Sequence, residues 1–255
     1  MRLLDASRDN GVLTLRLDDP SRSNLLSAEL CAALIEQVKR ADSDPELRAI
    51  VLRASGKAFC AGADLEDLKA AAAGDPSRVE SVYDAFLSVA NSSLPTLAVV
   101  EGAAVGAGMN LALACDMRIA GERAMFDTRF LQIGLHPGGG HAWMLLRAVR
   151  WQQACELLLL GKVLDAESAA RIGLVNAVHA PNALEDALQA MLARIRNTPR
   201  ELLRRTKATM RLAAGQEHDA AYRHETAEQM WSLGQPAFAD LVNRLQRKLA
   251  AKQES

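Results

Sequence analysis

Apolar and polar residues follow two alternating patterns along the first two thirds of the chain. Short alternating or continuous apolar runs predict strands at residues 11–17, 48–53, 96–100, 117–120, 124–126 and 173–178. Apolar residues three or four positions apart predict helices from Ser27 to the break at 42–45, over 64–73, 77–90, 109–115, 143–149 and 154–160, and from Asp165 onward. Because strands alternate with helices, the sequence predicts a layered α/β fold.

From residue 183 onward the pattern is helical throughout. Helices are predicted over residues 183–196, 201–214, 216–233 and 237–252. The chain is therefore divided into a mixed core, residues 1–195, and a C-terminal helical region, residues 196–255. The apolar stripes of these last helices have few partners besides the core and a neighbouring subunit.

The amino-acid composition disfavours several classes of protein. The chain has 255 residues, 30 Lys and Arg against 31 Asp and Glu, a net charge of −1 and 4% aromatic residues. This balance disfavours nucleic-acid and membrane-surface partners. No apolar run reaches the ~18 residues of a membrane span. Four cysteines without a CxxC pair, and an N-terminus unlike a signal peptide, predict free thiols and a cytoplasmic location.

Two small-residue turns stand out, each directly after a predicted strand. Residues 102–108 contain Gly102, Gly106 and Gly108, and a helical pattern follows them. Residues 55–65, SGKAFCAGADL, also end in small residues before a helical pattern. Glycine and alanine turns let backbone approach a ligand closely. Two such turns would supply one N–H group each to a single oxygen.

Both turns carry a family resemblance. Residues 58–65, AFCAGADL, resemble the first oxyanion-hole and CoA-adenine loop of the crotonase (enoyl-CoA hydratase/isomerase) superfamily, and residues 102–116 resemble its second oxyanion-hole motif. The resemblance extends over roughly residues 10–200. It implies a core of repeated ββα turns, an acyl-CoA thioester substrate, no permanently bound cofactor, and a homotrimer or dimer of trimers formed through the C-terminal helices.

The resemblance assigns roles to individual positions. The amides of Ala63 and Ala107 are the expected oxyanion donors. The two glutamates of the family's hydratases fall on Asn110 and Phe130, and neither residue accepts a proton. Asn110 is expected to orient a water, and Phe130 to line an apolar pocket.

The remaining candidates surround these positions. His136 is the candidate acid–base group and Asp127 a second one, because both lie near the Pro137 loop. The residues expected to contact CoA or to border its site are Arg22, Ala61, Gly62, Asp64, Leu65 and Gly106, with Phe130 beside the acyl chain. Asp64 is equally explained as a helix N-cap. No metal site is expected from His136 and His141, since further ligands are missing at usual spacing.

Two functions remain open. The first is an enoyl-CoA hydratase/isomerase-like lyase that stabilises a thioester enolate with atypical acid–base groups. The second is an acyl-CoA-binding protein that has lost its catalytic activity.

Overall fold

The computed structural model describes residues 3–75, 77–215 and 236. The chain divides into two compact units, residues 1–196 and 197–255. The helices predicted over 216–233 and 237–252 lie outside the described residues. The described part of the second unit contains one helix, α9 (Arg200–Ala213).

The first unit contains ten strands and eight α-helices within the described residues. The strands are β1 (Leu4–Asp9), β2 (Val12–Leu17), β3 (Ala49–Ala54), β4 (Ala58–Cys60), β5 (Thr96–Val100), β6 (Ala103–Val105), β7 (Met117–Gly121), β8 (Met125–Asp127), β9 (Leu164–Asp165) and β10 (Ala177–His179). The helices are α1 (Ala28–Ser43), α2 (Leu65–Ala72), α3 (Ser77–Asn91), α4 (Ala107–Leu113), α5 (His141–Ala148), α6 (Trp151–Leu159), α7 (Ala166–Arg171) and α8 (Leu184–Arg196). Short 3-10 helices occupy Pro20–Arg22 and Phe130–Ile133.

The strands form two sheets. The larger has the order β1-β2-β3-β5-β7-β10, and only the β1–β2 pair is antiparallel. The smaller has the order β4-β6-β8-β9, with β4, β6 and β8 parallel. A strand of the larger sheet therefore leads, after a few residues, into a strand of the smaller one: β3 into β4, β5 into β6 and β7 into β8.

Side chains alternate between two apolar clusters across the larger sheet. Ile50 and Leu52 belong to the main core, whereas Val51 on the same strand belongs to a second cluster that includes Leu188 of α8. Both faces of the sheet are thus covered, as parallel sheets require. The predicted mixed α/β fold is confirmed.

Some boundaries differ from the sequence prediction. β1 was not predicted because it is largely exposed and polar, and its only sheet neighbour is β2. β4 and β6 were missed because each is three residues long and lies among small residues. The strand predicted over 173–178 begins only at Ala177, since Gly173 and Leu174 still form a turn that donates to α7 carbonyls.

Candidate functional site

The centre of the candidate site lies where β4 and β6 end. The two strands pair in parallel, with Ala58 opposite Ala103 and Cys60 opposite Ala104, so their carboxyl ends meet at one edge. A glycine with positive φ follows each strand, Gly62 at +96° and Gly106 at +52°. Only glycine adopts these angles at little cost. The backbone turns sharply at both places, and the next amides belong to Ala63 and Ala107.

These two amides lie close together. A methyl group added to Gly62 would lie 3.4 Å from the amide nitrogen of Ala107 and 2.7 Å from the carbonyl oxygen of Val105. Three bonds separate that methyl position from the amide nitrogen of Ala63, so the two nitrogens are at most roughly 7 Å apart. Two donors that share one oxygen at 2.7–3.1 Å are at most about 6 Å apart, which this bound allows. Within residues 3–75 and 77–215, neither amide donates a hydrogen bond.

Close backbone packing fixes the relative position of the two turns. A methyl group on Gly108 would lie 2.1 Å from the carbonyl oxygen of Cys60, and one on Gly102 would lie 2.0 Å from that of Lys57. Neither contact is sterically possible for a larger residue without movement of the main chain. The two glycines therefore bring the segment after β5 directly against β4.

A third loop, residues 22–26, forms hydrogen bonds with the turn after β4. The amide of Leu26 donates to the carbonyl of Gly62 at 2.9 Å, and the amide of Ala61 donates to that of Ser23 at 3.0 Å. Arg22 pairs with Asp64 at 2.5 Å between Nη2 and Oδ2. Asp64 is also the N-cap of α2, since its side chain accepts from the amide of Glu66. The structure thus groups four of the residues expected to contact CoA, and Leu65 beside them is 63% exposed.

Asn24 holds this loop in place and was not among the predicted site residues. Its backbone has a φ of +56°, and its side chain is buried. The Nδ2 group donates at 2.9 Å to the carbonyls of both Ser55 and Ala58, and Oδ1 accepts from the amide of Asp19. Asparagine tolerates the left-handed region better than most residues. No local pattern indicates which carbonyls it reaches, because they lie more than thirty positions away.

Asn110 lies on α4, three residues after Ala107, and is buried. Its Nδ2 group donates to the carbonyl of Gly138 at 3.1 Å. Its Oδ1 atom lies 2.5 Å from Nδ1 of His141, the first residue of α5. The neutral side chain of Asn110 is therefore part of a buried polar pair with His141.

His141 is the second functional candidate that the sequence did not indicate. The imidazole is 1% exposed, and its ring meets Phe130 edge-on with centroids 4.9 Å apart. Burial lowers the pKa of His141 from 6.5 to about 4, so the ring is neutral at pH 7. Its Nε2 atom has no hydrogen-bond partner among the described residues. Asn110 and Phe130, the two positions where the resemblance leads us to expect glutamates, thus contact one imidazole.

The two predicted acid–base candidates have other partners, and Asp127 lies beside the turn after β6, because its carbonyl accepts from the amide of Gly106 at 2.9 Å. Asp127 is buried and its carboxylate pairs with the guanidinium of Arg129, whose amide also donates to it at 2.9 Å. His136 is exposed, and its Nδ1 lies 2.9 Å from the carbonyl of Pro137. It lines a cavity of about 510 Å³ formed by Leu131, Gly134, Leu135, His136, Pro137, Ala142, Leu158 and Leu159. That lining includes neither oxyanion candidate, so a role for His136 stays a prediction.

The described part of the chain lacks the features of two other kinds of site. Residues 3–75 and 77–215 contain no group of three or more His, Cys, Asp or Glu side chains arranged to hold a metal ion. No helix in the described part of the chain is both long and apolar enough to cross a membrane.

Comparisons with known proteins agree with the fold. A family model described as enoyl-CoA hydratase/isomerase matches residues 7–237. The chain is 46% identical over 241 residues to "Probable enoyl-CoA hydratase EchA14" of Mycobacterium tuberculosis, covering 91% of this chain and 93% of that protein. It is 29% identical to "4-chlorobenzoyl coenzyme A dehalogenase-2" of an Arthrobacter species, covering 96% and 91%.

A solved structure gives the same result. The crystal structure of an enoyl-CoA hydratase from Mycobacterium smegmatis superposes with a TM-score of 0.89 at 33% identity, covering 97% of each chain. The family model spans most of the sequence, and the first of these relatives is well above 30% identical over nearly the whole chain. The chain therefore belongs to the enoyl-CoA hydratase/isomerase family, within the crotonase superfamily.

Proposed function

We propose that this protein is an acyl-CoA-processing enzyme in which the amides of Ala63 and Ala107 bind the thioester oxygen. The observation that carries the proposal is the placement of these two unpartnered amides after adjacent parallel strands, each behind a glycine with positive φ. The names of the relatives, hydratases and a dehalogenase of CoA thioesters, support the same substrate class.

The chemistry follows from charge. A thioester carbonyl gains negative charge when a proton leaves the α-carbon or a nucleophile adds at the β-carbon. Two N–H groups aimed at that oxygen stabilise the anion, at roughly 2.7–4 kcal/mol for each donor in known oxyanion holes. Backbone donors suit this role because the packing of Gly108 against Cys60 fixes them before the substrate arrives.

The CoA end would lie along the loop after β4. Ala61, Gly62, Asp64 and Leu65 form its edge, and Gly106 completes the turn opposite. The half-exposed guanidinium of Arg22 already faces a carboxylate there and would exchange part of that contact for a CoA phosphate. Phe130 and the neutral Asn110 leave the acyl region without a carboxylate of the usual hydratase kind. We therefore propose an enoyl-CoA hydratase/isomerase-like lyase with atypical proton-transfer groups.

A second function is favoured by that same pair of residues. A protein that retains both amides and lacks both glutamates would, if no other group transfers the proton, bind an acyl-CoA without converting it. The experiment that separates the two functions is incubation with crotonyl-CoA, 3-hydroxybutyryl-CoA and malonyl-CoA, with binding followed by calorimetry and products by mass spectrometry. Binding with turnover supports the enzyme, and binding without turnover of any thioester supports the silent protein. Lack of binding contradicts both.

We also propose a homotrimer or dimer of trimers. Large apolar side chains of the first unit are strongly exposed in the single chain, among them Trp143, Trp151 at 69%, Leu159 and Leu160 at 79%. Exposed apolar residues of this size support contact with a second copy of the chain. Light scattering at micromolar concentration tests the assembly, and a monomer would contradict it.

A cytoplasmic location remains part of the proposal. None of the four cysteines, all of which lie in the described part of the chain, forms a disulfide, and burial raises the pKa of Cys31 and Cys60 to about 12. Inert free thiols of this kind are typical of proteins in reducing compartments. Fractionation of the native cells tests the location.

A further inference from the structure

The hydrogen bonds around Asn110 determine which nitrogen of His141 carries the proton. The carbonyl of Gly138 only accepts hydrogen bonds, so the Asn110 group 3.1 Å from it is the NH₂ group. Oδ1 of Asn110 therefore faces His141 at 2.5 Å. An amide oxygen also only accepts, so the neutral imidazole must donate from Nδ1. The lone pair of the ring is then on Nε2.

This lone pair is buried and unused. The residue is 1% exposed, and no donor within the described part of the chain reaches Nε2. A buried acceptor without a donor is costly, and most such atoms in proteins find a partner. The side chain cannot turn away to solvent, because Nδ1 is tied to Asn110 and the ring edge packs on Phe130. We therefore expect a hydrogen-bond donor from outside the described residues to bind at Nε2 of His141.

The loop that sets this geometry is itself fixed. A methyl group on Gly138 would lie 2.3 Å from the hydroxyl of Tyr83, and one on Gly139 would lie 2.2 Å from the ring of Phe86. The loop before α5 thus packs against two aromatic residues of α3, which are themselves in contact at 5.8 Å between ring centroids. The carbonyl of Gly138 is held where it orients the Asn110 amide.

The acceptor is linked through Asn110 to α4, the helix that begins with the proposed oxyanion residue Ala107. Asn110 is three residues after Ala107 on α4, which corresponds to a rise of about 4.5 Å along the helix axis. The imidazole follows within one hydrogen bond of Asn110. An acyl chain whose carbonyl oxygen binds the Ala107 amide would therefore extend near this ring.

We propose that His141 is a substrate-binding residue whose Nε2 accepts a hydrogen bond from an O–H group beside the thioester, and that Asn110 is the positioning residue that fixes its tautomer. The O–H group belongs either to a hydroxyl on the acyl chain or to a water bound next to it. This inference rests on the proposed acyl-CoA function. In this proposal the neutral side chains of Asn110 and His141 take the place of the two glutamates of the family's hydratases.

The tautomer is tested without any ligand. In protein labelled with ¹⁵N-histidine, the signals of His141 are assigned by their loss in His141→Asn, and at pH 7 we expect a protonated Nδ1 and an unprotonated Nε2. Asn110→Asp keeps an acceptor for Nδ1 and should preserve this state, whereas Asn110→Ala should release it. A purely space-filling Asn110 would leave the tautomer unchanged in both variants. A proton on Nε2 of the wild type overturns the proposal.

The acceptor role is tested with two matched variants. His141→Gln places an amide oxygen near the position of Nε2, whereas His141→Asn keeps a group near Nδ1 and removes the distal acceptor. Affinities are measured by calorimetry for 3-hydroxybutyryl-CoA and for butyryl-CoA, which lacks the hydroxyl. We expect the wild type and His141→Gln to share a preference of about 10-fold for the hydroxylated thioester, and His141→Asn to lose it.

The remaining outcomes are distinct. Equal affinities for the two thioesters, with the Nε2 signal shifted alike in both complexes, identify a bound water as the donor. Thioester binding that is the same in both variants, without a shift at Nε2, overturns the role of His141 and leaves the proposed function intact. If the wild type binds no thioester, the proposed function fails as well. His179→Gln, on β10, serves as the control for histidine labelling and for general effects on folding.

Discussion

The two halves of the candidate site are built from different parts of the chain. The half around Ala63 and Ala107 uses main-chain amides, and its geometry depends on glycines that follow or face neighbouring strands. The half around Asn110, Phe130 and His141 uses side chains from three separate elements. The first half depends on the main chain, whereas the second contains a buried, neutral amide–imidazole pair.

This difference shows which changes a site of this kind tolerates. The amides require particular backbone angles and close packing, so most substitutions there would displace them. The side-chain half can be rebuilt by replacing a few residues on a fixed scaffold. Four predictions test whether the two halves are as separate as this comparison implies.

The largest effect is expected when one backbone donor is removed. Ala107→Pro deletes the N–H group at the first position of α4, where proline fits a helix. If the protein turns over a thioester, kcat should fall by about 10²–10³-fold with little loss of thermal stability. Ala107→Gly keeps the N–H group and should lose far less activity. Similar kcat values for the two variants would contradict an oxyanion role.

The second prediction concerns pH. His141 has a pKa of about 4 in the folded protein and about 6.5 when unfolded, so the unfolded state binds more protons between these values. The free energy of unfolding should therefore fall as pH decreases from 7 to 4, by about 3 kcal/mol from this residue, at about 1.4 kcal/mol per pH unit. Urea titrations of the wild type and His141→Phe isolate the contribution. Identical pH dependence in both would show that the ring is not buried as described.

A third prediction addresses the packing that holds the backbone half together. In Gly108→Ala the new methyl group would lie 2.1 Å from a main-chain carbonyl, so α4 or β4 must move. We expect about 2–3 kcal/mol of destabilisation in urea unfolding. Gly121→Ala is the matched control, because its methyl group would meet atoms no closer than 3.6 Å, and we expect a change below about 1 kcal/mol. Equal effects would contradict tight packing at Gly108.

The smallest effect is expected at the exposed edge. Arg22→Ala should weaken CoA binding about 10-fold through loss of one charged hydrogen bond. It should change the free energy of unfolding by less than about 1 kcal/mol, because the Arg22–Asp64 pair is largely exposed. Arg40→Ala removes another exposed ion pair, with Glu36 on α1, and should leave CoA affinity unchanged. Equal CoA affinity of both variants would exclude Arg22 from the site.

Sequence patterns predicted those features that depend on residues only a few positions apart in the chain. Ser27, Asp64 and Asp165 each cap the helix that begins at the next residue, since capping needs only a side-chain oxygen and the amides two or three positions on. β5 has the predicted bounds, because a five-residue apolar run rich in β-branched residues favours a buried strand. The three-residue strands were missed, since so short a segment has no periodicity of its own.

In the candidate site, too, only the features that depend on neighbouring residues were predictable from the sequence. The turns that hold Ala63 and Ala107 were found from glycines and small residues within eight positions. His141 was considered only as a metal ligand, because nothing nearby in the sequence indicates that Asn110 and Phe130 meet it. His136, five positions earlier, has the same intrinsic chemistry and lies exposed on a loop. Residue type alone does not distinguish the two histidines.

The sequence by itself determined the alternation of strands and helices, the helix caps and the two small-residue turns that identify the family. Each depends on interactions between residues close in the chain, so a local pattern is sufficient to predict it. Only the tertiary structure decided that the turns after β4 and β6 meet at one edge of the smaller sheet, and that the neutral ring of His141 contacts both Asn110 and Phe130. Those arrangements depend on contacts between distant segments, and burial then sets the proton affinity of the ring.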